Sequence, residues 1–363
     1  MILRPVSPAH GGAAIARDAG KVWLVNYALP GEVVEAEPRG KQGGVAVATT
    51  TRVVEASPHR VTPKCPHFGA CGGCQLQHAD YAHQRELKRQ IVEEAWTRAG
   101  LRLPPDTPVL GMDDPWRYRI RGEFEAVPTA NGWRFGFHRL RSHSVLAIDT
   151  CPIHDLRIEE ALPAFAQAAN ELHLTDLQNL LLTAEPNGRG LLWRLRFKGR
   201  EPKWPREDFA HRVAGLLHDQ VLLDDAMSLE FWGLTFRVQS DTFVQTNYRQ
   251  MLVLYETALG MLGDVAGQRV LDLYAGIGTI SVAIARNAAG VTAVEENPRA
   301  VQLGRLNARI NSAKVEYLPG KVETALRQVR LGTHAAAVLD PPRAGCEPAA
   351  LAEILRLGPE RLV

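Results

Sequence analysis

The residues with the strongest chemical signal lie in one stretch, Asp272-Leu273-Tyr274-Ala275-Gly276-Ile277-Gly278-Thr279. An apolar run precedes Gly276 and another follows Gly278, which predicts a buried strand, a tight turn and a helix. Two glycines two residues apart let the backbone pass close to a ligand, and the start of a helix offers unpaired N–H groups and partial positive charge. We therefore expect a polar, partly anionic ligand at this turn.

A carboxylate follows at the spacing typical of nucleoside-binding folds. Glu295 ends the next apolar segment, about where such folds place the acid that binds the ribose. The third glycine of the dinucleotide fingerprint is missing, and an ordinary strand-to-helix turn is the alternative. With Asp272 ahead of the turn, the pattern Asp-x-Tyr-Ala-Gly-x-Gly-Thr resembles motif I of class I S-adenosylmethionine methyltransferases, which implies a Rossmann-like α/β domain.

Length and composition indicate the class of protein. The 363 residues suffice for two or three domains, and 45% apolar with 23% charged residues is typical of a soluble globular chain. The sequence contains no apolar run long enough for a membrane helix and opens with no signal peptide, so we expect the cytoplasm. A net charge of +2 does not require nucleic acid, so any basic surface must be local.

The first sixty residues read as short strands and turns. Between Val22 and Val61 we count five strands, which predicts a small closed barrel. A Leu-Pro-Gly-Glu turn, valine-rich strands and a following cysteine cluster resemble a TRAM domain, an OB-like RNA-binding module. The alternative is a barrel that only packs on the rest of the protein.

A glycine-containing loop holds three closely spaced cysteines, Cys65, Cys71 and Cys74. An odd total of five cysteines argues against a disulfide framework, and three thiolates this close favour a soft metal. Cys151 is the natural fourth ligand. Spacing alone leaves zinc, with His67 or His78 as possible ligands, and a 4Fe-4S cluster equally favoured.

The order of these motifs along the chain resembles the RNA uracil-C5-methyltransferase family, in the branch with a TRAM domain and a 4Fe-4S cluster. The motifs are the cysteine cluster, a later Cys-Pro, Phe-Val-Gln-Thr-Asn, motif I and Asp-Pro-Pro-Arg. The resemblance implies a structural 4Fe-4S cluster on Cys65, Cys71, Cys74 and Cys151. It also implies an S-adenosyl-L-methionine site formed by Gln245, Tyr274, Gly276, Thr279, Glu295 and Asp340.

Two further features bear on the reaction. Asp340 ends an apolar strand and begins Asp-Pro-Pro-Arg, where enzymes that methylate exocyclic amines carry an aromatic residue in place of Arg343. This departure favours methylation of carbon. Without the resemblance, we would interpret the segment around Gln245 as the start of a helix, with Thr242 or Asp241 as its N-cap.

Carbon 5 of uracil is a poor nucleophile, so a thiolate must first add at carbon 6 and a base must later remove the carbon 5 proton. Only Cys346 is left outside the cluster set, and we expect it to be a buried residue at a helix start, with a role as the nucleophile as the alternative. The family's nucleophile and base follow the fifth strand. We count four strands, and therefore expect a domain truncated before its fifth strand, with the catalytic Cys and Glu beyond Val363.

A local excess of arginine lies in the middle of the chain. Trp116–Val127 alternates as a half-buried strand, Asn131-Gly132 predicts a hairpin turn, and the periodicity predicts an amphipathic helix over 84–100. The resemblance implies that this helix packs on the catalytic domain. The arginines alternate with aromatic residues, which suits RNA phosphates and bases, with a solvated sheet face as the alternative. They are Arg117, Arg119, Arg121, Arg134, Arg139 and Arg141.

These inferences predict three regions. Residues 1–60 form a TRAM-like OB barrel, 61–235 an iron-sulfur loop and mixed α+β central domain that binds RNA, and 236–363 a class I Rossmann-like methyltransferase domain. We expect methylation of uridine in RNA, in 23S ribosomal RNA more than in transfer RNA, and no obligate protein partner. A non-catalytic RNA-binding iron-sulfur protein is the alternative from another class.

Overall fold

The computed structural model describes residues 1–217, 220–223 and 225–363. They form two compact units, each built from separate stretches of the chain. The first unit contains Met1–Arg117, Phe124–Ile153 and Phe165–Asn179. The second contains Tyr118–Glu123, His154–Ala164 and Leu180–Val363. Within the described residues, no helix is long and apolar enough to cross a membrane.

The first unit begins with a six-stranded sheet. Its strands are β1 (Ile2–Leu3), β2 (Pro5–Pro8), β3 (Ala14–Asp18), β4 (Lys21–Asn26), β5 (Val33–Gln42) and β6 (Val45–Glu55). Their order is β1-β5-β6-β4-β3-β2, and only the pairing of β4 with β6 is parallel. Ala16, Val25 and Val34 are fully buried, because alternate residues of each strand face one small core.

This sheet differs from the five short strands that we predicted. Three of its six strands lie before Val22, and residues 45–55 form one long strand, β6. The turn between β5 and β6 is only Gly43-Gly44, both with positive φ. Two glycines in this conformation suffice to connect antiparallel strands, so β5 and β6 continue to the turn.

Helix α1 (Tyr81–Arg98) follows the cysteine segment. It begins three residues before the predicted start, because the Asp80 side chain caps it by accepting from the backbone N–H of His83. Leu87 is its buried residue, whereas Val92 and Trp96 of the predicted apolar face are exposed. The helix is therefore confirmed, but the burial expected for this face is absent from the described structure.

Strands β7 (Arg121–Thr129), β8 (Gly132–His138) and β9 (Val145–Ala147) come next. The hairpin between β7 and β8 is confirmed, and its two-residue turn is Ala130-Asn131. The strand predicted from Trp116 begins only at Arg121. Arg117 has a φ of 53°, which is incompatible with an extended strand, so residues 116–120 are irregular.

The chain changes units within β7, α2 and β10. The next elements are α2 (Leu156–Glu171), β10 (Leu177–Ala184), β11 (Gly190–Phe197), α3 (Arg206–Leu216), β12 (Val221–Leu223), β13 (Ala226–Phe231), β14 (Leu234–Gln239) and α4 (Tyr248–Leu262). The described residues of this region thus mix helices and strands, as the predicted α+β central domain requires, and 218, 219 and 224 lie outside them.

A parallel sheet forms the rest of the second unit. Its elements are β15 (Arg269–Leu273), α5 (Thr279–Ile284), β16 (Gly290–Glu295), α6 (Pro298–Ile310), β17 (Val315–Pro319), α7 (Val322–Ala325), β18 (Ala336–Leu339), α8 (Pro348–Leu357) and β19 (Arg361–Leu362). The order is β17-β16-β15-β18-β19. Our count of four strands was wrong, because Arg361–Leu362 pairs with β18 as a fifth parallel strand.

Two asparagines, Asn307 of α6 and its C-cap residue Asn311, bind the backbone of β14. Asn311 accepts from the N–H of Thr235 at 3.0 Å and donates to its carbonyl at 2.7 Å. Asn307 makes the same pair of hydrogen bonds with Arg237, at 2.8 and 3.2 Å. Both asparagines thereby attach the β13–β14 hairpin to the helix.

Candidate active site

Three neighbouring strands of the parallel sheet end at the same level, and this places the candidate site. Leu273 of β15 lies opposite Val294 of β16 and Leu339 of β18. The carboxyl edge reached there is where sheets of this type bind ligands. Tyr274 and Asp340 directly follow β15 and β18, and Glu295 is the last residue of β16.

A cleft of about 760 Å³ opens at this edge of the second unit. It is lined by five of the six residues predicted to bind the methyl donor, namely Gln245, Tyr274, Gly276, Glu295 and Asp340. The sixth, Thr279, lines a narrow recess of about 50 Å³, which Gln245 and Asp340 also border. The structure therefore brings all six residues to one place.

The glycine turn after β15 is held in a left-handed conformation. Tyr274, Gly276 and Gly278 have φ values of 65°, 54° and 83°. A Cβ atom on Gly278 would lie 2.4 Å from the hydroxyl of Tyr317, which is itself buried. Glycine is thus required at Gly278 both by its φ and by the space available.

Glu295 is fixed by the loops on either side of it. Its Oε2 accepts from the N–H of Gly276 at 2.9 Å, and its Oε1 accepts from the N–H of Asn297 at 2.8 Å. Asn297 caps α6 through its own side chain. The carboxylate is half-buried at the cleft, and each oxygen still has capacity to accept from a ligand hydroxyl.

Beneath the turn lies Asp272, which is 1% exposed and accepts a hydrogen bond from the hydroxyl of Ser281. Burial raises the pKa of Asp272 to about 7, and the nearby carboxylates of Asp340 and Glu295 act in the same direction. Three carboxyl groups at one edge create a negative potential. Such a site favours a ligand with positive charge.

Residues of α4 and α5 form the wall of the recess. The hydroxyl of Tyr255 lies 2.9 Å from that of Thr279. Burial raises the pKa of Tyr255 to about 12, so the phenol stays neutral and can share its proton with Thr279. This contact fixes the Thr279 side chain at the first position of α5.

Gln245 lies in the irregular segment between β14 and α4. Our helix-entry interpretation placed a cap at Thr242 or Asp241, but the residue that caps α4 is Asn247, which accepts from the N–H of Gln250. Phe243 lines the cleft with 71% of its surface exposed, and sequence reasoning missed it. Its only signal was an aromatic residue inside the Phe-Val-Gln-Thr-Asn motif.

The Asp-Pro-Pro-Arg segment after β18 also lines the cleft, with Pro341, Pro342 and Arg343 all at its surface. Cys346 follows in the loop before α8 and is half-buried, where we had expected a buried residue. It lies beside Tyr274, and burial, with a further contribution from the nearby Cys346 thiol, raises the pKa of Tyr274 to about 12.

The predicted RNA-binding arginines have different environments. Arg119 lines the cleft, and its buried Nε has no hydrogen-bond partner among the described residues. Arg134 pairs with Asp149, and Arg139 is exposed. Arg117 donates to the carbonyl of Cys151 at 3.2 Å.

The environment of Arg121 differs from that expected for a row of solvent-facing arginines. Its guanidinium donates to the carbonyls of Ser240 and Thr242, each at 2.6 Å, and burial lowers its pKa. The prediction assumed one regular strand from Trp116, in which these arginines share a face. Because β7 begins only at Arg121, the residues before it are irregular and that shared face does not form.

The cysteine segment belongs to the first unit. Cys71 lies close enough to Cys65 for the two thiols to interact, and burial, with a smaller contribution from Cys65, raises the pKa of Cys71. The ammonium of Lys64 lies 5.0 Å from the ring centre of Trp116, and Arg117, the next residue after it, binds the carbonyl of Cys151. The two cysteine-bearing segments therefore approach each other.

The predicted ligand set is nevertheless not assembled as a metal site. Among the described residues, no group of three or more His, Cys, Asp or Glu side chains is arranged to hold a metal ion. The cysteines do not form disulfides in the part of the chain that the structure describes.

The parallel sheet, the glycine turn and the carboxyl-lined cleft together define a class I, Rossmann-like methyltransferase domain. Residues 261–343 match the model of the TRM5/TYW2 methyltransferase domain. The fold of the chain is also similar to that of the tRNA (uracil-54, C5)-methyltransferase of Pyrococcus abyssi, solved with S-adenosyl-L-homocysteine. That similarity has a TM-score of 0.75 at 20% identity and covers 98% of this chain and 87% of the other.

Curated relatives identify the family more narrowly. The 23S rRNA (uracil(1939)-C(5))-methyltransferase of Alkalilimnicola ehrlichii is 31% identical, over 98% of this chain and 84% of the relative. The enzyme of the same name from Shewanella amazonensis is 32% identical, over 93% of this chain and 79% of the relative. The chain belongs to the RNA uracil-C5-methyltransferase family, as its motifs predicted.

Proposed function

We propose that this protein transfers the methyl group of S-adenosyl-L-methionine to carbon 5 of a uridine in RNA, with transient addition of a thiolate at carbon 6. The observation that carries the proposal is the cleft at the carboxyl edge, where all six predicted donor-binding residues meet. The negative potential there suits a ligand with a sulfonium and an ammonium group. When bound, the cofactor would supply an electrophilic methyl group.

Each donor-binding residue has a role that its position supports. Glu295 would accept from the two ribose hydroxyls, since it lies at the cleft with its carboxylate fixed by Gly276. Asp340 would face the methionine end, opposite the positive charge. Gln245 and Thr279 border the inner recess and would orient the same end, and Tyr274 would lie beside the glycine turn.

We propose 23S ribosomal RNA as the substrate. The support is the name of two relatives that are more than 30% identical over nearly the whole chain. Further support comes from a first sheet with the strand content of a small OB-like module, which we assign as a TRAM-like domain over 1–60. RNA contacts are assigned to Arg117, Arg119, Arg134 and Arg139, and the central region 61–235 would carry most of them.

For the cysteines we propose a 4Fe-4S cluster on Cys65, Cys71, Cys74 and Cys151. The donor set fits, because four thiolates from two neighbouring segments can supply the four ligands that such a cluster requires. The proximity of Cys65 to Cys71, and the Arg117 bond to the carbonyl of Cys151, support this assignment. The cluster would have a structural role, since methyl transfer needs no electrons.

The experiment that tests the function uses RNA labelled with tritium at carbon 5 of uridine. Methylation at carbon 5 displaces that hydrogen, so tritium is released into water. Methylation of an oxygen or a nitrogen atom would not release it. We expect release from unmodified 23S ribosomal RNA that depends on S-adenosyl-L-methionine. Release of tritium from transfer RNA alone would show that the substrate is transfer RNA and not ribosomal RNA. RNA binding without release from either would favour the non-catalytic alternative.

A further inference from the structure

The segment that connects β14 to α4 carries both Gln245 and Phe243 to the cleft. It has no regular secondary structure, so its conformation depends on hydrogen bonds from other parts of the second unit. A tight turn begins it, in which the Thr242 hydroxyl donates to the carbonyl of Gln239 at 2.9 Å. The cap residue Asn247 ends it.

Two consecutive residues fix this segment at both ends. Arg121 donates through Nη1 to the carbonyl of Thr242 and through Nη2 to the carbonyl of Ser240. The preceding residue, Ile120, donates its backbone N–H to the carbonyl of Thr246 at 2.8 Å. The three residues between these fixed points are Phe243, Val244 and Gln245.

Packing also holds the segment between these fixed points. Val244 is 5% exposed and lies in the same apolar core as Ile120. Its neighbours Phe243 and Gln245 both line the cleft. The buried Val244 thus anchors the middle of the segment to the core, between the two residues that reach the cleft.

We propose that Arg121 is a positioning residue for the methyl-donor site: by binding two carbonyls of the 240–242 turn, it sets the place of Gln245 against the donor. The inference rests on the proposed function of the cleft. It gives Arg121 a different role from the RNA contact that its sequence suggested. Arg121 touches neither donor nor RNA in this assignment, and acts through Gln245.

The chemistry of arginine explains why this residue type stands here. The planar guanidinium presents two parallel N–H groups, which match two carbonyl oxygens of one turn. A lysine ammonium is a point charge on a flexible stem and would hold one of the two carbonyls well. A methionine of similar length would leave both carbonyls without this partner.

The test is a double-mutant cycle with Arg121→Met, Gln245→Ala and the double variant, measured as the dissociation constant for S-adenosyl-L-homocysteine by calorimetry. We expect each single change to weaken binding about tenfold. The double variant should be weaker by far less than the product, because Arg121 acts through Gln245. Arg121→Lys should recover part of the loss.

Arg212→Met is the matched control, because Arg212 is an exposed arginine of α3 that pairs with Asp208. It should bind S-adenosyl-L-homocysteine as the unaltered protein does. Thermal unfolding of every variant, recorded without ligand, separates loss of the fold from loss of the site. If Arg121→Met does not fold, Arg121→Lys and its combination with Gln245→Ala supply the cycle.

Three results would overturn the proposal. These are unchanged binding by Arg121→Met, unchanged binding by Gln245→Ala, and losses that multiply fully in the double variant. The last would mean that Arg121 only supports the fold. If the unaltered protein itself does not bind S-adenosyl-L-homocysteine, the proposed function of the cleft fails first, and the two failures are thereby distinguished.

Discussion

The donor cleft of the second unit and the cysteine segment of the first are both built from loops, yet they differ in what holds them. The cleft residues follow directly from parallel strands, and Glu295 is already bonded to Gly276. The cysteines lie in a segment without regular structure over residues 61–80, and the described residues there form no metal site. One site is set by the fold, and we infer that the other is set by its bound centre.

This difference has a physical basis. Strands in register already fix the positions of the residues at their ends. Forming the cleft therefore costs little conformational entropy beyond that of forming the sheet. A glycine-containing loop has to lose that entropy when it closes, and metal–thiolate bonds can supply the free energy. The donor cleft should therefore withstand changes in the cysteine segment.

The largest expected effect separates the two sites. Cys71→Ser should abolish the bound iron and the brown colour of the purified protein, because it removes one of the four proposed ligands. Loss of the cluster should also destabilise the first unit by several kcal/mol, on the order of 5. Binding of S-adenosyl-L-homocysteine should change by no more than about threefold.

Iron analysis, visible absorbance and calorimetry measure these three quantities. Cys346→Ser is the control for iron content, since Cys346 lies outside the proposed ligand set. Retention of the full iron content by Cys71→Ser would contradict the assignment, and loss of donor binding would contradict the independence of the two sites.

The next effect concerns pH and the buried carboxyl beneath the turn. The folded-state pKa of Asp272 is about 7, above its ordinary value near 3.8, so the folded protein binds more protons than the unfolded chain between these values. Its contribution to the free energy of unfolding is thus fully present below about pH 4 and declines as pH rises toward 7, by an amount on the order of 4 kcal/mol.

Asp272→Asn should remove this decline, because the amide still accepts from Ser281 but cannot ionise. Denaturant unfolding at several pH values compares the two proteins. If the free energy of unfolding fell equally with rising pH in both proteins, Asp272 would not be the group responsible for the pH dependence. Nearby Glu295, Asp340 and Tyr317 remain unchanged in this comparison.

A smaller loss is expected from Gly278→Ala, about 2–3 kcal/mol in the free energy of unfolding. The added methyl group would meet the Tyr317 hydroxyl, and the Tyr317 ring cannot withdraw because it also packs tightly against Gly304. Gly267→Ala is the matched control, since Gly267 has a φ of 71° with no atom within 4 Å of the added Cβ. It should lose only about 1 kcal/mol. Equal losses would show that backbone strain, without crowding, fixes the turn.

The smallest effect is expected from Glu295→Gln, which should weaken binding of S-adenosyl-L-homocysteine about tenfold without unfolding the protein. The amide has one acceptor oxygen, so the N–H groups of Gly276 and Asn297 cannot both be satisfied as before. Glu316→Gln is the control, because Glu316 is exposed on the same sheet and pairs with Arg269. Calorimetry that gave the same constant for both variants would place the ribose elsewhere.

Most of the donor site could be predicted from the sequence, because its signals are local. A buried strand, glycines with positive φ and a short helix are encoded within 269–284. Glu295 and Asp340 each follow a recognisable apolar strand, and parallel pairing brings them together. The shared apolar core fixes the register of the parallel strands. The sequence therefore suffices to predict that these two side chains lie at the same edge of the sheet.

What escaped prediction depends on contacts distant in sequence. Nothing near Arg121 indicates that its partners are the carbonyls of Ser240 and Thr242. Phe243 is exposed whereas Val244, the next residue, is buried in the tertiary core, and no local pattern distinguishes the two. The irregular segment at 116–120 has the same alternation of side chains as a strand, and only the φ of Arg117 distinguishes them.

Asn307 and the C-cap residue Asn311 of α6 have a consequence for solubility. They stand four residues apart, which is about 6 Å along a helix, close to the roughly 6.8 Å between Thr235 and Arg237 along a strand. Their amides therefore occupy the outward N–H and C=O groups of β14, as a neighbouring strand would. A helix thus shields the free edge of a two-stranded ribbon from strand addition by another molecule, the route by which exposed edges lead to aggregation.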